Sequence, residues 1–393
     1  MRTVLTADKL WNGTNLLDRP VVVIENDRID SIHSATAAEI PAAAADQVFN
    51  FPGVTLAPSF LDVHVHGAAG HDVMEATPEA LQTMGRLLAS HGTGSYLATT
   101  VTAPVDATLR SLSGLAKLIA QPPDPDRTAS WPIGIHLEGP FLSHTKRGVH
   151  PPALLLDPDI ALFDRFYEAA EGRIRLITLA PELPGAIEFA SHATSRGVRV
   201  SIGHSNANAA ETRAAIAAGA VSATHTFNAM RPLDHREPGI LGIVLTTDSL
   251  FAELICDGIH NTPEMVKIWW RCKGPERAIL ITDGMSATGM PDGEYMLGEF
   301  KVQVANGRAS MGDVLAGSVL TLDRALTNFK AFTGASLEDG LRLLTCNPAR
   351  MTGLEDRAGT LAAGQPANLV ALNADGKLAA SFLNGRKAPL LPC

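Results

Sequence analysis

The sequence predicts an α/β protein, a (β/α)8 TIM barrel with a small β-sandwich domain built from both chain ends. Eight short apolar runs alternate with Ala-rich stretches of helical character through the middle of the 393-residue chain. These units cover roughly 230 residues, close to the ~250 typical of such a barrel. Both ends of the chain read instead as short β-rich runs broken by turn residues. A doubly wound open sheet is the alternative, and the absence of GxGxxG after the first run weakens it.

Taken in order, residues 1–53 contain TVLTADKLWNG and PVVVIENDRIDSI, the first part of the small domain, with an Ala run at Ala42–Ala45 expected as loop. The barrel is expected over 54–354. Its runs are VTLAPSFLDVHVHG (54–67), GSYLATTVT (94–102), IGIHLEGP (133–140) and IRLITLAPE (174–182). They continue with VRVSIGHS (198–205), AVSATHTFNAM (220–230), LFAELICDG (250–258) and AILITDG (278–284). Helices are expected between several of them, at Thr77–Ser90, Ala186–Ser195 and Ala207–Ala218. A helical stretch, Leu320–Leu344, leads to residues 355–393, the second part of the small domain. There Asn-Ala-Asp-Gly and Asn-Gly mark hairpin turns in ANLVALNADGKLAASFLNGRK.

The composition suits a large core, with 46% hydrophobic and 19% charged residues. A net charge of −9 argues against an extended nucleic-acid surface. It leaves room for an anionic small molecule held by a few local cations. No apolar run of about 18 residues suggests a membrane span, and the first residues, MRTVLTADKLWNG, lack the apolar stretch of a signal peptide. Cys256, Cys272, Cys346 and Cys393 show no CxxC spacing, so neither a disulfide framework nor a thiolate zinc site is expected. A reducing cytoplasm is the expected compartment.

Ionisable residues collect at the C-terminal end of one run after another, and in a barrel that end is the active-site face. His64 and His66 end the first run, His136 and Glu138 the third, His204 the fifth and His225 the sixth. Asp257 and His260 follow the seventh, and Asp283 ends the eighth. In a strand, residues i and i+2 point the same way. His64 and His66 therefore project together, as two imidazoles on one divalent ion would. Alone, HxH is a weak signal and reads more readily as a pair of hydrogen-bonded core histidines. With Glu138, His204 and His225 at equivalent ends, it reads as a metal site. Imidazole and carboxylate donors without thiolate suit Zn²⁺, with Fe²⁺, Mn²⁺ and Co²⁺ open.

His136 is read as a hydrogen-bonding neighbour of the ligands rather than a ligand. Glu138 could instead pair with an arginine, and Asp283 before Gly284 could be a turn former. At the end of the last strand, facing a metal, Asp283 is better placed to take a proton from water. His33, His71, His91, His144, His192 and His235 read as surface histidines or loop hydrogen-bonders. His150 lies in a stiffened loop, KRGVHPP, directly after the Glu138 strand. Arg231 and Arg236 lie in MRPLDHREPG, after the His225 strand. They are either a solvated basic loop or a clamp for phosphate or carboxylate.

This set of HxH, Glu, two further His and Asp resembles the amidohydrolase superfamily. Six segments are similar to the N-acetylglucosamine-6-phosphate deacetylases: HLEGPFLSHTKRGVH (136–150), GHSNA (203–207), THTFNAMRPLDHREPG (224–239), CDGIH (256–260), LITDGMSATG (280–289) and LAGSVLTL (315–322). The resemblance spans nearly the whole chain. It implies Glu138, His204 and His225 as principal metal ligands. His64 and His66 imply a second metal position found in some members, so one or two ions per subunit, and Asp283 is implied among the metal ligands. Asp283 is implied as general base and acid, and His260 and His150 as contacts to the sugar or the amide carbonyl. Asn228 and Ala229 are implied as backbone donors to a phosphate. Arg236 is implied to reach the phosphate in a neighbouring subunit's site, hence a homodimer.

The implied reaction is hydrolysis of the N-acetyl amide of N-acetylglucosamine 6-phosphate by a metal-activated water, giving glucosamine 6-phosphate and acetate. N-acetylgalactosamine 6-phosphate stays open as substrate, since the epimers differ in one hydroxyl. An N-acyl-amino-acid hydrolase or a dihydroorotase leaves HREPG and NAM without a role. A non-catalytic metal-binding barrel leaves Asp283 without one.

Overall fold

The computed structural model describes residues 1–34, 45–121 and 128–391. Eight parallel strands form one sheet in sequence order: Phe60–Val65, Thr93–Thr100, Trp131–Glu138, Ile174–Leu179, Arg199–Ile202, Ala220–Ala223, Phe251–Ile255 and Ala278–Ile281. Each lies within, or overlaps, one of the eight apolar runs. The strands are buried almost throughout, as expected where helices cover one face and the barrel interior the other. The first run divides: Val54–Pro58 ends the long strand Gln47–Pro58 of the other sheet, and the barrel strand starts at Phe60.

The last strand meets the first without a full ladder. A single parallel bridge joins Val65 to Gly284. Around it, Asp283 N donates to His64 O (2.9 Å), and His66 N and Gly67 N both donate to Gly284 O (2.8 and 3.0 Å). One turn deeper, Thr282 Oγ1 donates to Asp62 Oδ2 at 2.6 Å. Asp62, His64 and His66 share one side of the strand, so this face closes the barrel at its base and carries imidazoles at its rim. Gly67 follows directly, and a Cβ there would come within 2.4 Å of His71 O and 2.8 Å of Ser286 N.

The helices start where capping chemistry permits. Pro78–Ser90 has Thr77 as its cap, accepting from Ala80 N, and proline at its first position. Ala209–Ala217 opens with a capping box between Asn208 and Glu211. The single helix expected over Leu320–Leu344 is two, Leu322–Thr333 and Leu337–Leu344. Gly334 takes φ 73 and ends the first; the Ser336 side chain accepts from Asp339 N and starts the second.

The chain ends share one mixed eight-stranded sheet. Gln47–Pro58 runs parallel to Arg2–Trp11 and antiparallel to Leu369–Asn373, which joins the two ends of the chain. Leu5, Leu10, Val22, Leu56, Leu369 and Phe382 pack on one face of it. The Ala run expected as loop lies outside the described residues except for Ala45, which has no regular structure. A four-stranded antiparallel sheet, Gly293–Leu297, Phe300–Ala305, Arg308–Met311 and Val314–Leu315, follows the eighth barrel strand and was not expected. Its second hairpin turns at Asn306-Gly307, an ordinary hairpin signal.

Candidate active site

Six side chains converge at the C-terminal mouth of the barrel in two triads, His64, His66 and Asp283, and Glu138, His204 and His225. In the second triad Glu138 Oε1 lies 3.3 Å from His204 Nε2 and 3.1 Å from His225 Nε2, and the two Nε2 atoms are 3.0 Å apart. In the first, His64 Nε2 is 3.3 Å from His66 Nε2, and Asp283 Oδ1 is 3.5 and 3.3 Å from them. Tetrahedral donors on metal bonds of about 2.0–2.1 Å stand about 3.3–3.4 Å apart, so both triads have ligand spacing. Each offers three protein donors, leaving a position open as in catalytic sites. Glu138 also approaches the first triad: its Oε2 lies 3.2 Å from His66 Nε2.

The outer ring nitrogens show how the imidazoles are aimed. His66 Nδ1 donates to the Thr99 carbonyl (3.0 Å), and His204 Nδ1 to the Lys146 carbonyl (2.9 Å). Both rings are thereby held with Nε2 towards the cluster. The backbone helps. His204, His225 and Asp283 have φ of 45, 27 and 50, a region that non-glycine residues enter at a cost of about 1–3 kcal/mol each. The strand thus leaves its extended path at the residue that must face the axis. Gly139 does the same after Glu138, with φ +86; a Cβ there would meet Thr102 Oγ1 at 2.0 Å.

The electrostatics call for positive charge. Burial opposes charging His66, yet hydrogen bonds to Asp283 and Glu138 outweigh it and push the ring up to about 9. His64 is also raised well above the usual histidine range: burial works against the charge, and the carboxylates of Glu138 and Asp283 outweigh burial. Burial likewise opposes ionising Glu138 and Asp283, but both are held below the carboxylate range, chiefly by the charge of His64. Without a metal the cluster would have to hold protons. A divalent cation supplies the same charge with shorter bonds, so the donor set fits one.

His136 stands behind this cluster. Its Nε2 pairs with Thr178 Oγ1 at 2.8 Å, its ring packs edge-on against His64, and burial lowers it well below the histidine range. His150 Nδ1 pairs with Thr102 Oγ1 at 2.7 Å, and burial holds the ring down at about 4 despite Glu138 nearby. His260 Nδ1 lies 2.6 Å from Asp257 Oδ2. Burial disfavours charge on Asp257, but the His260 hydrogen bond prevails and lowers it.

A cavity of about 330 Å³ opens onto the cluster. It is lined by His66, Glu138, His150, His204, His225, His260 and Asp283 together with Asn228 and Ala229. Leu297, Val314 and Leu315 of the unexpected sheet supply apolar walls. Lys146 lines the cavity too, an ammonium that the sequence reading did not single out. Asn228 N already donates to His225 O (3.1 Å). Of the two expected amide donors, the one at Ala229 is therefore better disposed towards an incoming anion. Arg236 is exposed on its loop and does not line this chain's cavity.

Among the histidines set aside as surface or loop groups, His91 differs: it is buried, with Nδ1 3.1 Å from Asp323. It caps the end of the helix Pro78–Ser90, where sequence pattern alone does not report burial. Glu253 was also missed. It is fully buried in the seventh strand, with Oε2 3.5 Å from His64 Nδ1, and the only signal was a lone carboxylate in the apolar run FAELI.

Residues 55–388 match the model of the amidohydrolase family. The chain is 38% identical over 335 residues to an N-acetylgalactosamine-6-phosphate deacetylase of Escherichia coli O157:H7, covering 85% of this chain and 87% of that protein. It is 36% identical over 371 residues to the N-acetylglucosamine-6-phosphate deacetylase of Vibrio furnissii, covering 94% of this chain and 90% of that protein. A crystal structure of a Mycobacterium smegmatis N-acetyl-D-glucosamine-6-phosphate deacetylase variant, in complex with N-acetyl-D-glucosamine-6-phosphate, superposes with a TM-score of 0.89. The two chains are 37% identical, and the match covers 98% of this one and 99% of the other.

Proposed function

The chain belongs to the amidohydrolase family, and from that premise we propose that it hydrolyses the N-acetyl amide of N-acetylglucosamine 6-phosphate to glucosamine 6-phosphate and acetate. The observation that carries the proposal is the pair of ligand-spaced triads at the floor of one cavity, with an ionised aspartate at its edge. The relatives named as deacetylases of this substrate support its identity.

Glu138, His204 and His225 would hold a divalent ion, and His64, His66 and Asp283 a second. Such an ion lowers the pKa of water and polarises the amide carbonyl. Zn²⁺ is our assignment, from the imidazole and carboxylate donors. The chain's own residues do the rest. Asp283, kept ionised by its imidazole neighbours, takes the proton of the attacking water and passes it to the leaving nitrogen. His260, oriented by Asp257, faces the carbonyl oxygen and helps to steady the oxyanion. His150, kept neutral, meets a sugar hydroxyl or the carbonyl.

The phosphate is anchored by the Asn228–Ala229 turn and by Arg236 of a neighbouring subunit, so the working form we propose is a homodimer. Binding the phosphate far from the amide fixes the sugar, and that remote binding energy orients the reacting bond. A cytoplasmic location is the natural one for a doubly charged sugar phosphate, which does not enter a bilayer core unaided.

A second reading keeps the site and changes the epimer, and the 38% identity to an N-acetylgalactosamine-6-phosphate deacetylase favours testing it. The test is acetate release from the 6-phosphates of both N-acetylhexosamines and from N-acetyl amino acids. The proposal expects turnover of N-acetylglucosamine 6-phosphate to exceed the others. Faster turnover of the galacto epimer would select the second reading, and turnover of the amino acids alone would overturn both.

A further inference from the structure

The seventh barrel strand carries a carboxylate that the reaction above does not use. Glu253 sits in the middle of Phe251–Ile255 and is 0% exposed. Burying an ionised carboxylate is costly unless it is paired and hydrogen-bonded. Its Oε2 lies 3.5 Å from His64 Nδ1 and 3.4 Å from the backbone N of His225. Its Oε1, and His64 Nδ1 itself, are buried without a hydrogen-bond partner among the described residues. The backbone beside it is fixed, because Thr226 N donates to Glu253 O at 2.8 Å.

The other imidazoles explain what the pairing is for. His66 and His204 each hand their outer N–H to a backbone carbonyl. His64 has no carbonyl in that position; Glu253 stands there instead. On its opposite edge His64 Nε2 faces His66, Glu138 and Asp283 at 3.3–3.5 Å. A ligating imidazole gains both orientation and basicity when a carboxylate takes its outer N–H.

We propose that Glu253 is a positioning residue for the metal centre: it accepts the Nδ1–H of His64, fixes that tautomer, and so governs occupancy of the position formed by His64, His66 and Asp283. This rests on the metal-site reading above. Glu253 also receives the His225 N–H, so it touches one member of each triad. It strengthens the His64 position far more than the Glu138 position, because only His64 is met through its side chain.

The test is Co²⁺ titration against a competing chelator, using the full chain, E253Q, H64N and the double variant. Wild type is expected to bind two ions. E253Q should weaken the second by about tenfold or more, the range typical for losing such a partner, and leave the first unchanged. In the H64N background E253Q should add nothing, since its effect passes through His64. Wild-type affinities in E253Q, a single ion in wild type, or an equal loss in both backgrounds would overturn the proposal. A wild type that takes up no Co²⁺ would instead overturn the metal-site reading. Histidine ¹⁵N NMR of the Zn²⁺-loaded wild type serves if E253Q does not fold. A His64 ring protonated at Nδ1, with a downfield proton, supports the assignment, and an Nε2-protonated His64 contradicts it.

Discussion

Asp283 is the residue on which the chemistry turns. Its N–H is committed to His64 O, and its carbonyl receives Ser318 N at 2.7 Å, so the side chain alone faces the cavity. Asp283→Asn keeps that frame and removes the proton acceptor. Turnover should fall by about 10²–10⁴-fold, the usual worth of a general base, while the ion at Glu138, His204 and His225 stays bound. The check is kcat beside metal content, and a near-wild-type kcat would contradict the assignment.

His66 gives a pH prediction. Its metal-free pKa is raised to about 9, against burial, by Asp283 and Glu138. The stability this contributes is fully present below about 6.5, the unfolded histidine value, and is lost as pH rises through about 9. An ion on Nε2 must displace that proton. Metal uptake should therefore release protons at pH 7–8, and release less above pH 9, read by calorimetry in two buffers of different ionisation enthalpy. Uptake without proton release at pH 7–8 would refute the ligand role of His66.

At the scale of elements, barrel closure depends on few bonds. The Thr282 hydroxyl reaches Asp62 across the seam at 2.6 Å, and Asp62 is raised to about 6 by burial, which that bond opposes. Thr282→Val has a similar shape and strips the donor from a buried acceptor. The expected cost is about 1–3 kcal/mol, visible as a lower melting temperature in calorimetry; an unchanged melting temperature would mean the seam does not depend on this bond.

The same scale shows what the sequence could carry. The eight strands were legible because each is a short apolar run, six of them with an ionisable residue at or just past the end, and 64 and 66 pair on one face by strand periodicity alone. Glu253 was not, because a carboxylate inside FAELI gives no hint of which face it takes or what it meets across the barrel. The break at Gly334 was written in the sequence, but Leu320–Leu344 is apolar enough on both sides of it to read as one helix. The sheet over 293–315 is made of short hairpins whose pattern resembles that of loops, though Asn306-Gly307 marked one turn.

At the scale of the whole molecule, the cavity of one chain is short of cations for a phosphate. Among the residues lining it, Lys146 is the one permanent cation, while Arg236 is exposed on its own loop. A second subunit that brings Arg236 to this mouth would complete the anion site. Arg236→Ala should then raise KM for N-acetylglucosamine 6-phosphate at least about tenfold, a typical loss for one charged hydrogen bond. KM for unphosphorylated N-acetylglucosamine should scarcely change. Equal effects on both sugars would remove the phosphate role. Leu297, Val314 and Leu315 line the cavity, so the sheet the sequence did not announce is part of the site.

The central claim is that an ion held by these imidazoles and carboxylates, together with Asp283, cleaves the acetamide of a hexosamine 6-phosphate. The most direct measurement is acetate release from N-acetylglucosamine 6-phosphate by chelator-stripped protein, followed as Zn²⁺ is added back in known equivalents. Activity should be absent in the stripped protein and rise with each equivalent until the site fills, at one or two ions per chain. Full acetate release from stripped protein, or none at any Zn²⁺ level with the fold intact, would contradict the account.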